Sequence, residues 1–436
     1  MERIGPYILE AALARGGMGE VWRARLEGPG GFSRAVALKR MNADLSAASG
    51  GDGAFLREAR AGARLLHPNI AAVLDVGEDG RTLYLAMELV DGLDLRRILR
   101  RGEMLGLPMP PALVGFIAHE VLAALEAAHA LRGPGGEAEP LVHRDISPEN
   151  VIVGRWGEVR VVDFGLARTT GLQDQLTDAG VVKGKLSYMA PEQLQGAPVH
   201  PSWDVYALGN LFYEALCGEK PYDAPNPIVA VELARSPVRH PCDLRAGVPR
   251  ALADAALALR APDPAHRPSA AEARRQLAGV LEDLLRGVPS ALLADYLAFV
   301  TTQEAPPGGA RQGAPCGKCG GRLRGQWIAN GIVVDRCEDC HGAWLDAHEV
   351  ERVVGRRLTR GDSERTLPGA AAPLDAVRGD CPRGHGPLGA WPVPGRGFHV
   401  EACATCGGVW LDAGELDAVS HGDVAAALLA AAVESA

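Results

Sequence analysis

Between Gly5 and Arg101 the apolar residues come in short runs cut by turn residues, as in Val36-Ala37-Leu38 and Leu83-Tyr84-Leu85-Ala86-Met87, which predicts a strand-rich segment. One stretch inside it, Ala54 to Leu66, has apolar residues every three or four positions and predicts a helix. From Pro111 the period becomes helical, with Phe116 to Leu125 spaced like a buried amphipathic helix and Arg132 to Pro140 a glycine- and proline-bearing loop behind it. Two apolar runs, Leu141-Val142 and Val151-Ile152-Val153, then bracket a polar loop. Ser202 to Gly209 opens another apolar helix, Leu292 to Thr301 predicts a short one, and Glu304 to Pro315 reads as a linker.

The chain of 436 residues is 47% apolar and 23% charged, the profile of an ordinary globular protein of two or three domains. A net charge of −9 argues against nucleic-acid or anionic-membrane binding driven by the field of the whole chain. The longest apolar stretch, Val424 to Val433, is half of the roughly 20 residues a bilayer requires. Met1 to Glu10 has no basic segment followed by an apolar run, so a cytoplasmic protein without a membrane span is expected. Of nine cysteines, Cys217 and Cys242 stand alone and read as small buried hydrophobes; seven lie between Cys316 and Cys406. In a reducing compartment that clustering favours metal over disulfides.

The polar loop is His143-Arg144-Asp145-Ile146-Ser147-Pro148-Glu149-Asn150, a carboxylate and a carboxamide five residues apart, and thirteen residues after it comes Asp163-Phe164-Gly165. Together they supply a proton acceptor and two oxygen ligands for a hard cation, and magnesium suits such a site because it keeps water and phosphates as its other ligands. Asp145 would orient and deprotonate a hydroxyl while Asn150 and Asp163 hold the metal on the phosphates. These loops resemble the catalytic and metal loops of the eukaryotic-type (Hanks-type) Ser/Thr protein kinases. The resemblance implies an α+β, bilobal protein kinase fold, a small β-rich N-lobe and a helical C-lobe, over residues 5–287, with ATP and Mg2+ (or Mn2+) as cofactors.

Other segments take their roles from the same resemblance. Leu13-Ala14-Arg15-Gly16-Gly17-Met18-Gly19-Glu20-Val21 is a glycine-rich turn whose backbone could approach phosphate oxygens; Ala14 stands where the family has its first glycine. Lys39 follows at the spacing that brings an ammonium to the α and β phosphates, and Glu58 is its expected helical partner. Leu83 to Gly92 would be the hinge, with Met87 at the gatekeeper position and the backbone of Glu88 to Val90 on the adenine edge. Leu13, Val21, Ala37 and Ile152 would cover the faces of the ring.

Two departures stand in the catalytic machinery. Ser147 replaces the lysine usual two residues after the catalytic aspartate, and Lys185, in Gly184-Lys185-Leu186-Ser187-Tyr188-Met189-Ala190-Pro191-Glu192, replaces a threonine that packs beside it. The expectation is an exchange, with Lys185 as the cation and Ser147 as the hydroxyl. Thr169, Thr170 and Thr177 are candidate autophosphorylation sites in the activation segment, with Arg144 as the receiving cation. Asp204 should anchor the backbone of the catalytic loop, and Arg267 should pair with Glu192.

The tail contains Cys316-Gly-Lys-Cys319 and Cys337-Glu-Asp-Cys340, two pairs 17 residues apart, which read as one tetrahedral zinc site with Arg322 to Val334 as a hairpin between them. The stretch from Cys337 through Trp344-Leu345-Asp346 to Glu349 repeats 66 residues later from Cys403-Ala-Thr-Cys406 through Trp410-Leu411-Asp412 to Glu415. Cys381-Pro-Arg-Gly-His385 replaces the first pair, giving a second zinc site of Cys381, His385, Cys403 and Cys406; His341, His348 and His399 have no such slot. The pattern resembles zinc ribbons classed with the zinc finger of transcription factor IIB, each too small for a core of its own. The expected order is 288–315 helix and linker, 316–355 first ribbon, 356–380 linker, 381–421 second ribbon and 422–436 a C-terminal helix. From Glu304 onward 13 basic residues face 17 acidic ones, which favours a protein-docking or regulatory tail over a nucleic-acid reader, with thiolate sensing left open. The sequence thus points to a kinase acting on Ser/Thr hydroxyls of proteins, and its alternative is an inactive ATP-binding scaffold whose ribbons recruit a protein or nucleic-acid partner.

Overall fold

The computed structural model describes residues 2–16, 19–41, 59, 62–80, 82–133, 135–164, 185–245, 247–285, 287–302, 314–329, 332–346, 349–350, 379–392 and 399–412. Gly17, Glu58, Thr169, Thr170, Thr177, His348, Glu415 and the helix expected over 422–436 lie outside them. The chain divides into two bodies, one of Met1–Leu99 with Pro111–Leu297 and one of Arg100–Pro110 with Ala298–Ala436.

In the first body the short apolar runs become six strands, β1 (Arg3–Ile4), β2 (Tyr7–Gly16), β3 (Gly19–Glu27), β4 (Ser33–Met41), β5 (Val73–Asp79) and β6 (Thr82–Glu88). They form one antiparallel sheet in the order β1-β2-β3-β4-β6-β5. Alternation decides which face is buried: Val36 and Leu38 of β4 pack with Tyr7, Leu9, Ala24 and Tyr84, while Lys39 points the other way. A smaller sheet joins β7 (Gly92–Asp94), ahead of the polar loop, to β8 (Val151–Gly154) and β9 (Val159–Val161), which follow it. It is tied to the segment before β5 by a bridge between Ile70 and Val161, with Ala71 N donating to Val161 O at 3.0 Å.

Helices carry the rest: α1 (Leu95–Met104), α2 (Pro111–His129), α3 (Pro191–Leu194), α4 (Ser202–Cys217), α5 (Pro227–Arg235), α6 (Pro241–Leu244), α7 (Arg250–Leu259), α8 (Ala270–Leu284) and α9 (Pro289–Thr302). α2 is long and apolar enough to cross a membrane, yet 61% of its apolar stretch is buried inside the protein, as in a core helix. α4 is buried almost all round and ends at Gly218, whose φ of 82° closes the last turn through Gly218 N to Glu214 O. Each fully buried side chain on it, such as Leu208, Phe212 or Leu216, contributes about 1.5–3 kcal/mol. Its buried Asp204 organises the site described below.

In the second body the two cysteine-rich repeats are not separate beads. Strands β10 (Leu323–Ala329), β11 (Ile332–Cys337) and β12 (Ala343–Leu345) of the first join β13 (Gly389–Pro392), β14 (His399–Ala402) and β15 (Val409–Leu411) of the second in one sheet, β10-β11-β12-β15-β14-β13. β12 and β15 meet antiparallel with Trp344 opposite Trp410. The hairpin expected between the first two cysteine pairs is present as β10 and β11. Both tryptophans, Leu323, Leu388 and cysteines of both repeats share a single core. Gly342 and Gly408 permit it, since a Cβ would lie 2.3 Å from Trp410 and 2.1 Å from Trp344, respectively.

Candidate active site and metal centres

Asp204, at the start of α4 and wholly buried, accepts from His143 N at 2.8 Å, Arg144 N at 2.7 Å and His129 Nε2 at 2.8 Å. These bonds pin the start of the polar loop, as expected of Asp204. His143 continues the chain of support: its Nε2 donates to Val162 O at 2.9 Å and its ring lies edge-on to Phe164, with centroids 4.7 Å apart. Arg144 and Asp163 have left-handed backbone, φ 67° and 62°, a conformation that costs a non-glycine residue of order 1 kcal/mol or more and clusters at functional sites.

Asp145 is thereby presented to two side chains. Asn150 Nδ2 donates to Asp145 O at 2.7 Å and to Asp145 Oδ2 at 3.1 Å, and Lys185 Nζ donates to the same Oδ2 at 2.5 Å. Because its amide nitrogen is so engaged, Asn150 has its amide oxygen left for a cation. The β8–β9 pairing sets Val151 against Val161 and Val162 N on Asn150 O, which brings Asn150 and Asp163 to one end of the hairpin. Lys39 Nζ stands 3.1 Å from Asp163 Oδ2, so the ammonium of the six-stranded sheet meets the carboxylate of the loop after β9. That partner was not foreseen from the spacing, which assigned Lys39 to Glu58, a residue outside the described part.

Of the two residues named in the expected exchange, Lys185 reaches Asp145 Oδ2 and Ser147 is buried next to Glu149. The serine is only 1% exposed, two residues beyond the Asp145 carboxylate.

The residues assigned to a nucleotide sit on consecutive strands. Gly16 pairs with Gly19 and Ala14 with Val21 across the β2–β3 hairpin, Val21 pairs with Lys39, and Ala37 with Met87. Leu13 is exposed, Met87 buried, and Ala37, Val90 and Ile152 half-buried. Glu88 N donates to Ala72 O at 2.8 Å. Arg267 is paired with Glu192 as expected, through both guanidinium nitrogens, and also donates to Ser202 O, Ala261 O and Pro262 O.

In the second body Cys316, Cys319, Cys337 and Cys340 form one cluster and Cys381, His385, Cys403 and Cys406 another, the ligand atoms of each lying within 4.8 Å of one another. Tetrahedral zinc with Zn–S of about 2.3 Å requires sulfurs about 3.8 Å apart. The separations fit: Cys316 to Cys340 3.7 Å, Cys319 to Cys337 3.4 Å and Cys381 to Cys406 3.8 Å. His385 Nδ1 lies 3.5 Å from Cys381 Sγ and 3.7 Å from Cys403 Sγ, the edge lengths of a mixed tetrahedron. His341 and His399 belong to neither cluster.

Between the clusters runs a reciprocal clamp that the sequence reading overlooked. Lys318 of the first repeat meets Asp412 at 3.0 Å and Glu401 at 3.2 Å in the second, while Arg383 of the second meets Asp346 at 2.6 Å and Asp335 at 3.3 Å in the first. Each aspartate also accepts from the indole of its own repeat, Trp344 to Asp346 and Trp410 to Asp412. The signal was available: both cations stand two residues after the first cysteine of their repeat.

A family model described as protein kinase domain matches residues 7–277, and one described as transcription factor zinc-finger matches residues 315–356 and 380–420. The chain is 36% identical over 274 residues to the tyrosine-protein kinase MasK of Myxococcus xanthus, covering 63% of this chain and 42% of that one. It is 40% identical over 224 residues to the serine/threonine-protein kinase PknL of Mycobacterium bovis, covering 50% of each. The chain therefore spans about half the length of the curated relatives it matches. The crystal structure of the Mycobacterium tuberculosis PknI kinase domain superposes with a TM-score of 0.48 at 27% identity, covering 64% of this chain and 97% of that one.

Proposed function

The chain belongs to the protein kinase domain family, and from that premise we propose that it transfers the γ-phosphoryl group of ATP to Ser/Thr hydroxyls of proteins, with a zinc-binding tail for docking or regulation. The observation that carries this reading is the convergence of Lys185 and Asn150 on Asp145 and of Lys39 on Asp163. In the proposed step the acceptor O–H bond breaks, its proton passes to the Asp145 carboxylate, the oxygen bonds to the γ-phosphorus, and the bond to the β-phosphate oxygen breaks to release ADP. Magnesium (or manganese), when bound, neutralises phosphate charge; Asn150 and Asp163 would hold it, and Lys39 would orient the phosphates. Lys185 would steady the charge of the transferring group from the Asp145 side.

Preference for Ser/Thr is supported by Pro148-Glu149-Asn150 and by the PknL relative, and opposed by the tyrosine kinase name of MasK. A cytoplasmic setting is supported by the seven cysteines of the tail, each cluster spaced for metal rather than for disulfides. The test is phosphotransfer by the full chain with magnesium and ATP, followed by phosphoamino-acid analysis and site mapping. Phosphoserine or phosphothreonine is expected, with Asp145→Asn reducing turnover by about 10³-fold or more. Equal turnover by wild type and Asp145→Asn would reduce the chain to a nucleotide-binding scaffold, and phosphotyrosine alone would overturn the residue preference.

A further inference from the structure

Beside the Asp145 loop lies a group of polar side chains that phosphoryl transfer leaves unused. Arg96, on α1, donates through Nε to Glu149 at 2.9 Å, through Nη1 to Glu214 at 2.5 Å, and through Nη2 to the Tyr188 hydroxyl, which itself donates to Glu214. The Arg96 and Glu214 side chains are 14% and 10% exposed and Glu149 is 49% exposed, so Glu149 forms the outer lip and Glu214 with Tyr188 the floor. Glu149 follows Asp145 by four residues, and Tyr188 follows Lys185, which touches Asp145, by three. At about 3.3 Å per residue the group is no more than about 13 Å of chain from the proposed base, within the span of a few residues of extended peptide.

Resting on the kinase reading, we propose that Arg96 determines peptide specificity: the protein's own guanidinium fills a recess beside the acceptor position that would otherwise take a basic side chain of the substrate. The recess has the chemistry for such a group, since two carboxylates and a phenolic oxygen match the fork of one guanidinium. While Arg96 occupies it, an incoming arginine or lysine meets a like charge and finds the same oxygens engaged, which selects against it. Substrates with a neutral or acidic residue at that place are therefore favoured. Burial pushes the Glu149 carboxyl up, but the hydrogen bond and charge of Arg96 outweigh it and hold the group below its ordinary value, so Glu149 remains an anion for Arg96 to pair with.

The test reads binding by fluorescence anisotropy, with the full chain and paired serine peptides that differ only in Arg against Ala at one position within four residues of the serine. Wild type is expected to bind the alanine peptide tighter than the arginine peptide at one position, whereas Arg96→Ala binds the arginine peptide about tenfold tighter there, and adding Glu214→Gln removes that gain. No arginine preference in Arg96→Ala at any position overturns the proposal. So does a wild-type preference for arginine that Glu149→Gln abolishes, because the recess would then be open in the native protein. If Arg96→Ala fails to fold, Arg96→Lys keeps a charge inside and is expected to show a smaller preference at the same position; its absence is equally fatal. Binding is measured rather than turnover, so a chain that transfers no phosphate still reports on Arg96.

Discussion

Lys185 brings an ammonium to Asp145 in a chain that has no lysine two residues beyond that aspartate. Its ammonium reaches Asp145 Oδ2 at 2.5 Å from the segment after Gly184, whereas the residue two positions beyond Asp145 is a buried serine. A preorganised cation aimed at developing phosphoryl charge is typically worth 10²–10³-fold in rate. Lys185→Ala is therefore expected to lower kcat by about 10²-fold with a smaller change in KM for ATP. The double variant Ser147→Lys with Lys185→Thr should recover part of that loss, because the charge returns to the same neighbourhood. Steady-state kinetics of the four proteins in this cycle decide the matter, and additive losses in the double variant would exclude a shared role.

Among elements, the paired ribbons show a unit that neither half makes alone. One sheet crosses both repeats, the two tryptophans face each other across its middle, and each repeat supplies a cation to the other's aspartate. Lys318 is held above its ordinary pKa: burial opposes this, but Asp412 and Glu401 outweigh it. Metal binding in such small domains is folding free energy, roughly 10–16 kcal/mol for structural zinc. Cys381→Ser is therefore expected to lower zinc content from about two per chain toward zero, since unfolding one repeat strips the other of its sheet partner and half of its core. Metal analysis of the purified chain gives the answer, and a stable value of one zinc per chain would show the sites to be independent. The repeat was legible in the sequence because ligand spacing is local. The pairing was not, because β12 and β15 are short and their contacts join residues far apart in the chain.

At the scale of the whole molecule, two bodies draw stability from different sources, one from apolar burial around α2 and α4 and the other from its thiolate clusters. Calorimetry of the full chain should accordingly resolve two transitions. A zinc chelator is expected to lower one, and saturating magnesium with ATP to raise the other by RT ln(1 + [L]/Kd), about 2.7 kcal/mol at a hundredfold excess over Kd. A single transition that answers to both additions would contradict this division.

The sequence by itself determined the local chemistry: the loop around Asp145, the spacing of Asn150 and Asp163, the lysine strand, the Asp204 anchor and both cysteine clusters. These were legible because backbone sterics and ligand geometry act over a few residues. Only the tertiary structure decided which distant charges meet: Lys39 with Asp163, Arg96 with Glu149 and Glu214, and Lys318 and Arg383 with the opposite repeat. A charged side chain leaves no period in the sequence, and its partner is chosen by the packing of elements that bring it within about 4 Å.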